Sequence, residues 1–521
     1  MKIRILSFIL SLGLTFAIDP LVFKGRRIYN AKTNLDFDIK GIVYQPRQGA
    51  PDGTLDPLAD EIGCLRDVEV FKDLGINAIR VFEIDPTKNH DVCMKALSDA
   101  GIYLLLDLST PELSIPRNKP YWDTYLLDLY KLKVDAFTIY DNIFGFVAGN
   151  NVTINVDTVP ASAFVKASIR DIKNYLKFKN NNIPVGYSGN FDVTTSYYSQ
   201  RYFGCGSDPL AMADFYGYSL NEFDADIHAY SDYFFLKARN SKISYTPSFI
   251  SQYIYSYSSS YDKFSFGPNS GTPANPYSGG FLFEYSNEGG DYGLVNVTYG
   301  NPSVNKLPIY EQFKKSLNQF SSLYTQQDPC YDFKPSTVLC ELSNSNWTIS
   351  NSLPPPPSVD LCDCLSKTFT CKLPSTFNQS DPNQLKALNS KISDLCNNVD
   401  CSDILTDPLK NLYGKYSGCT ISQKANLILS LNFSKNNNTA QSCSIDGLNQ
   451  SLVINSTALN ISTCKVIAEN YSSKYLSGEI DFGSSGYSNC TVTNSGSYTY
   501  STNISHLSAF VILISFIFFT L

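Results

Sequence analysis

Between about Ile42 and Tyr285 the chain alternates eight short apolar runs with longer amphipathic stretches, and that rhythm restricts the folds open to it more than any other feature. The runs are Ile42–Tyr44, Ala78–Phe82, Tyr103–Leu106, Ile143–Val147, Pro184–Tyr187, Asp214–Tyr218, Ser248–Ser251 and Gly280–Phe283. Between them, stretches such as Arg66–Leu74, Val92–Ala100, Trp122–Phe137 and Ala163–Phe178 carry apolar residues at helical spacing. Eight strand-helix units are the number that closes a barrel. A doubly wound open sheet is the alternative, but no glycine-rich dinucleotide turn follows the first run. The expectation is an α/β chain with a (β/α)8 TIM barrel.

In such a barrel, chemistry gathers at the C-terminal ends of the strands. That rule alone singles out Asn151 after the fourth run and Gln252 at the end of the seventh, together with Tyr44, Asp107, Tyr187, Glu222 and Glu284. Glu222 and Glu284 have no obvious acidic partner. Their simpler reading is hydrogen bonding at the barrel mouth, because paired-carboxylate catalysis needs two such groups about 5 Å apart.

The ends of the chain speak for export. Lys2 and Arg4 precede an apolar stretch from Ile5 to Leu14, and Thr15-Phe16-Ala17 offers small residues for cleavage, so residues 1–17 read as a signal peptide. The segment 507–521 is apolar and shorter than the about 20 residues of a membrane span. Asn494-Ser495-Gly496 and a polar spacer to His506 precede it, the order of a glycolipid-anchor signal with 495–521 as propeptide; a plain C-terminal membrane anchor is the alternative. The 14 cysteines, an even number, read as disulfides of an oxidising compartment. Sequons at Asn346, Asn378, Asn432, Asn437, Asn449, Asn455, Asn460, Asn470 and Asn489 predict a sugar-coated surface for the second half. A net charge of -7 without a basic cluster argues against nucleic acid or an anionic membrane surface as partner. Tyr and Phe are abundant enough to stack on carbohydrate, although aromatics are core residues first.

Several long stretches carry a resemblance. They are Gly41-Ile42-Val43-Tyr44-Gln45-Pro46, Cys64-Leu65-Arg66-Asp67, Ile84-Asp85-Pro86-Thr87-Lys88-Asn89-His90-Asp91, Ala100 through Ser109, Pro184-Val185-Gly186-Tyr187-Ser188 and Ala213-Asp214-Phe215-Tyr216-Gly217. In that order they resemble the fungal glycolipid-anchored β-1,3-glucanosyltransferases of glycoside hydrolase family 72, over nearly the whole chain. The resemblance implies a barrel at 18–340 that cuts a β-1,3-glucan, holds it covalently and passes it to another glucan. It places the acid/base at Asn151 and the nucleophile at Gln252, where the family has glutamates. It also gives substrate-binding positions at Tyr44, Phe82, Asp107, Ser109, Arg117, Asn150, Asp192, Glu222 and Phe283, of which Phe82 and Phe283 replace tyrosines. The family's tyrosine beside the nucleophile reads Asn221, and a family disulfide is absent because Asp224 and Tyr255 stand at its cysteines. Pairings Cys64 with Cys93 and Cys205 with Cys340 are implied.

A linker at 341–360 contains Leu353-Pro354-Pro355-Pro356-Pro357, stiff by composition. The cysteine-rich unit at 361–470 resembles an X8 or family 43 carbohydrate-binding module, and 471–494 reads as a glycosylated stalk. A metal site at Cys362-Asp363-Cys364 is the weaker reading of that spacing, since irregularly spaced secreted cysteines form disulfides. The module either contacts glucan or only braces the barrel. No cofactor or metal is called for. An amide can neither exchange a proton nor form a glycosyl ester at ordinary pH. The expectation is therefore a surface-anchored β-1,3-glucan-binding protein with impaired catalysis; the alternatives are an active glucanosyltransferase and a structural wall glycoprotein.

Overall fold

The structure, a computed structural model, describes residues 18–51, 55–192, 194–220, 245–254, 277–319, 337–340, 343–349, 352–378, 381–445 and 452–464, and the backbone of 489–492 and 498–501. The expected signal peptide lies outside the described residues, as do all of the expected anchor signal but the backbone of 498–501, and Glu222, Asn221, Asp224 and Tyr255.

An antiparallel hairpin, β1 (Leu21–Lys24) and β2 (Arg27–Asn30), precedes eight parallel strands. These are β3 (Ile39–Val43), β4 (Ala78–Val81), β5 (Tyr103–Asp107), β6 (Ile143–Asn150), β7 (Val185–Asn190), β8 (Tyr216–Ser219), β9 (Ser248–Ile254) and β10 (Gly279–Phe283). They close into a barrel in chain order, with β10 returning to β3 at Gly279↔Ile39. Each apolar run is thus a strand. The ends differ: β5, β6 and β9 run on through polar residues, so Asp107, Asn150 and Gln252 lie within strands. Helices α1 (Glu61–Leu74), α2 (Asp91–Asp99), α3 (Thr124–Phe137), α4 (Ser162–Phe178) and α5 (Ser196–Gly204) join the first six barrel strands. Local chemistry sets their limits: the Asp60 carboxylate accepts from Gly63 N–H at the start of α1, and Gly75, at φ 75°, ends it in the left-handed region.

The barrel interior is filled in layers. At the floor, Phe144, Phe215, Phe249 and Phe281 interlock, with Phe249 5.6 Å from Phe144 and 5.9 Å from Phe281 between ring centroids. They fit because small residues face them; a Cβ on Gly41 would lie 2.4 Å from Phe281 Cδ1. The hairpin seals this end: Phe23 packs edge-on to Phe144 at 5.1 Å, and the Tyr103 hydroxyl donates to the Asp19 carbonyl. Above the aromatic layer the interior turns polar.

After the barrel come a ribbon of β11 (Val295–Val297) with β12 (Val304–Lys306) and α6 (Ile309–Gln319). The cysteine-rich module contains α7 (Val359–Ser366), β13 (Cys371–Lys372), α8 (Pro382–Leu395), β14 (Thr406–Asp407), β15 (Leu412–Tyr413), α9 (Ile421–Lys435) and β16 (Val453–Ile454). Its disulfides are Cys362–Cys419, Cys364–Cys464, Cys371–Cys443 and Cys396–Cys401, so both cysteines of the metal-type spacing are oxidised. In the barrel Cys64 pairs with Cys93 and Cys205 with Cys340. The module packs on α3 and α4. Thr124 N–H donates to Gly418 O at 3.0 Å, Phe164 meets Tyr413, and Arg170 Nη2 donates to Pro354 O at 2.9 Å. The proline-rich linker is therefore laid against the barrel, with Leu353 and Pro354 buried. One sequon does not fit a sugar-coated surface: Asn432 is 8% exposed on α9, and its Nδ2 donates to Ser442 O at 2.8 Å.

Candidate functional site

The polar layer is built around a charge in an otherwise apolar strand. Arg80 on β4 is buried, and its Nε and Nη2 grip both carboxylate oxygens of Asp107 on β5 at 2.9 and 2.7 Å. Its Nη1 donates to the Ser251 carbonyl at 2.9 Å, reaching across the barrel to β9. The Ser251 hydroxyl lies 2.8 Å from that of Ser188 on β7, and Ser188 Oγ donates to Asn150 Oδ1 at 2.9 Å. Five strands, β4, β5, β6, β7 and β9, are thus tied just below the mouth. Lys133 of α3 backs this layer, donating to Asp107 O at 3.1 Å; burial lowers its pKa to about 8 against the attraction of Asp107, Glu83 and Asp56.

Asn151 is the first residue beyond β6. Its backbone is in the left-handed region at φ 50°, a conformation that Asn tolerates. Its N–H donates to Ser188 O at 2.8 Å, its carbonyl accepts from Arg117 Nε at 3.0 Å, and its Nδ2 donates to Ser219 Oγ at 3.3 Å. Asn151 Oδ1 is buried with no hydrogen-bond partner. Gln252 is the β9 partner of the same Ser219, and its carbonyl accepts from Leu220 N–H at 2.8 Å. Two residues far apart in sequence therefore meet on either side of Ser219.

Phe82 and Phe283 stand half-buried at the rim. Gln45 fixes the end of β4, its Oε1 accepting from Glu83 N–H at 3.1 Å and its Nε2 donating to Glu83 O at 3.1 Å. The Arg47 guanidinium lies 5.5 Å from the Phe82 centroid. Glu284, directly after β10, accepts from Glu288 N–H at 3.3 Å. Burial pushes its carboxyl up to about 7; the Glu288 N–H and Arg47 oppose that rise, and the Glu288 charge adds to it.

Other expected contact residues are engaged within the chain as follows. Tyr44 is buried behind the strand end, its hydroxyl donating to Asp67 Oδ2 at 2.9 Å and its ring edge-on to Phe71 and Tyr285. Asp107 commits both carboxylate oxygens to Arg80, and Ser109 is buried beside Tyr130. Tyr187 stacks on Phe203 at 4.3 Å and accepts from Thr153 N–H. Asp192 Oδ1 accepts from Thr195 N–H at 2.8 Å, capping the turn into α5. Arg117 is exposed apart from its bond to Asn151. Arg80, Ser188 and Ser219 are the organising residues that strand-end reasoning passes over. For Arg80 the signal is present, since a lone charge in a buried strand requires a buried partner. At the Ser219 crossing the described groups are amides and hydroxyls, which donate and accept hydrogen bonds but do not relay protons as a carboxyl does.

A family model described as Glucanosyltransferase matches residues 12–321, and one described as X8 domain matches 377–450. Among characterised proteins, the chain is 34% identical to Protein EPD1 of Candida maltosa, over 82% of this chain and 77% of that one. It is 32% identical to 1,3-beta-glucanosyltransferase GAS2 of Saccharomyces cerevisiae, over 88% and 84% respectively. Among solved structures, a Glu-to-Gln mutant of Saccharomyces cerevisiae Gas2p in complex with laminaritetraose and laminaripentaose superposes with a TM-score of 0.74 at 30% identity, covering 87% of this chain and 99% of that one.

Proposed function

The chain belongs to the glucanosyltransferase family of cell-wall β-1,3-glucan remodelling, and from that premise we propose that it binds β-1,3-glucan at the barrel mouth without cutting or transferring it. What supports this reading is the pair of amides, Asn151 and Gln252, gathered around Ser219, which the sequence resemblance aligns with the family's acid/base and nucleophile. Retaining transfer requires one carboxyl that switches between acid and base and another that forms the glycosyl ester. Binding requires neither. A Gas2p mutant that has lost one glutamate is in complex with laminari-oligosaccharides, which supports binding by this fold when a carboxylate is missing. The half-buried rim rings Phe82 and Phe283 offer apolar faces to a sugar.

The decisive assay incubates the purified ectodomain with a reduced laminari-oligosaccharide. No longer or shorter products are expected, while the intact oligosaccharide is retained in a binding measurement. A product ladder overturns the non-catalytic reading. Glu284 favours a competing reading as an active transferase, because a carboxyl near neutrality suits acid-base work. In that case Glu284→Gln abolishes the ladder.

The ends complete the proposal. Residues 1–17 direct export, and 495–521 are exchanged for a glycolipid that holds the protein on the outer leaflet or passes it to wall glucan. Phosphatidylinositol-specific phospholipase then releases the membrane-bound fraction; retention in the detergent phase after a verified digestion refutes the anchor.

A further inference from the structure

Residues 452–464 form a strap on the outside of the cysteine-rich module. Within it β16 pairs with β13 at Cys371↔Ile454, Asn455 N–H donates to Thr370 O at 2.8 Å, Leu459 N–H donates to Lys367 O at 2.9 Å, and Cys464 is bonded to Cys364. Leu452 packs against the module core, while four other apolar side chains of the strap are left in the open. Val453 is 41% exposed, Ile454 51%, Leu459 50% and Ile461 37%. Single exposed apolar residues are ordinary, but four within the nine residues 453–461 are a local concentration of apolar surface.

Two sequons interleave with that strip, Asn455-Ser456-Thr457 and Asn460-Ile461-Ser462. At the first, Asn455 Oδ1 accepts from Thr457 N–H at 3.1 Å and Thr457 Oγ1 at 2.9 Å, and Nδ2 donates to Phe369 O at 3.2 Å. That leaves one of its two amide hydrogens for substitution. At the second, Asn460 is exposed, its Oδ1 accepts from Ser462 N–H at 3.0 Å, and its Nδ2 makes no hydrogen bond among the described residues. Asn432 differs by burial: it is 8% exposed, with Nδ2 turned inward to Ser442 O at 2.8 Å and Oδ1 held by Asn436 Nδ2 at 3.0 Å. The six disulfides among the described residues fit the oxidising compartment in which such modification occurs.

We propose that Asn455 and Asn460 carry N-linked glycans that lie over Val453, Ile454, Leu459 and Ile461, so that the chain covers its own apolar strip with sugar. In the modification, Nδ2 forms a bond to the anomeric carbon of a lipid diphosphate-linked oligosaccharide. The bond from that carbon to the diphosphate oxygen breaks, the lipid diphosphate leaves, and the amide gives up one proton. The pyranose C–H faces and acetamido methyl groups of the first sugars supply the apolar contact, and their hydroxyls face water.

Glycopeptide mass spectrometry of the full chain secreted from a yeast host is expected to find sugar on Asn455 and Asn460 and none on Asn432. Peptide N-glycosidase acting on the folded protein should raise anilinonaphthalene sulfonate fluorescence about threefold and bring self-association on size exclusion. A Thr457→Ala, Ser462→Ala variant should behave like the deglycosylated protein, and adding Ile454→Ser with Leu459→Ser should return both readouts to the native level. Bare Asn455 and Asn460 in the secreted protein overturn the proposal. So does deglycosylation that changes neither dye binding nor association, because the strip then has another cover or needs none.

Discussion

At the scale of single residues, the mouth is held by the Arg80–Asp107 pair, whose two charges are buried together. Arg80→Met should cost about 3–5 kcal/mol, since it strands the Asp107 carboxylate without its counter-charge. Chemical denaturation measures this, and a loss below about 1 kcal/mol would mean that water or Lys133 takes over. Glu284 gives a pH signature. Its carboxyl is raised from the ordinary 4.5 to about 7, so between those values the folded protein keeps a proton that the unfolded chain has released. Stability attributable to this group therefore falls as pH rises through that window. Glu284→Gln should flatten that part of the stability profile, and an unchanged slope from pH 4 to 8 counts against it. The sequon at Asn151 should remain bare, because Asn151 Oδ1 is buried and Thr153 Oγ1 is buried 2.6 Å from Ser162 Oγ; a glycan there would also block the mouth. The sequence brings Asn151 and Gln252 to attention because strand ends can be found from apolar runs. It cannot tell that Asp107 is spent on Arg80 or Tyr44 on Asp67, since those pairings depend on which side chains of neighbouring elements face each other.

At the scale of elements, all eight barrel strands are legible as apolar runs, the first six of them joined by amphipathic helices, and their ends are less so. The runs stop where polar residues begin, whereas β5, β6 and β9 carry Asp107, Asn150 and Gln252 inside the ladder because the barrel's upper layer is itself polar. The β1–β2 hairpin has no comparable signal. Its strands are four residues each, and only the alternation of half-buried Leu21 and Phe23 with exposed Val22 and Lys24 marks them. Its worth can be measured: Phe23→Ala should lose about 2 kcal/mol, less than a fully buried Phe because one face of the ring remains near water. A change near zero in the denaturation midpoint would make the plug dispensable.

At the scale of the whole molecule, module and barrel are joined by backbone and side-chain bonds along α3 and α4, and a linker that composition makes a stiff spacer is part of that joint. Tyr413 sits in it, donating to Ser352 O at 3.0 Å and packing edge-on against Phe164. The intact chain should unfold in one calorimetric transition, and Tyr413→Ala should split it in two; two transitions in the unaltered protein would mean that the bodies are energetically independent. The disulfides add a mechanical property. Cys205–Cys340 spans 135 residues, including β8, β9 and β10, and Cys364–Cys464 spans 100 residues, almost the whole module. Tension applied between the N-terminal hairpin and any point beyond Cys464 would run from Cys205 to Cys340, on to Cys364 and out through Cys464. It would bypass the strand that carries Gln252 and the folded interior of the module. Under load these two loops hang slack beside the covalent path, and neither β9 nor the module can be drawn out as thread.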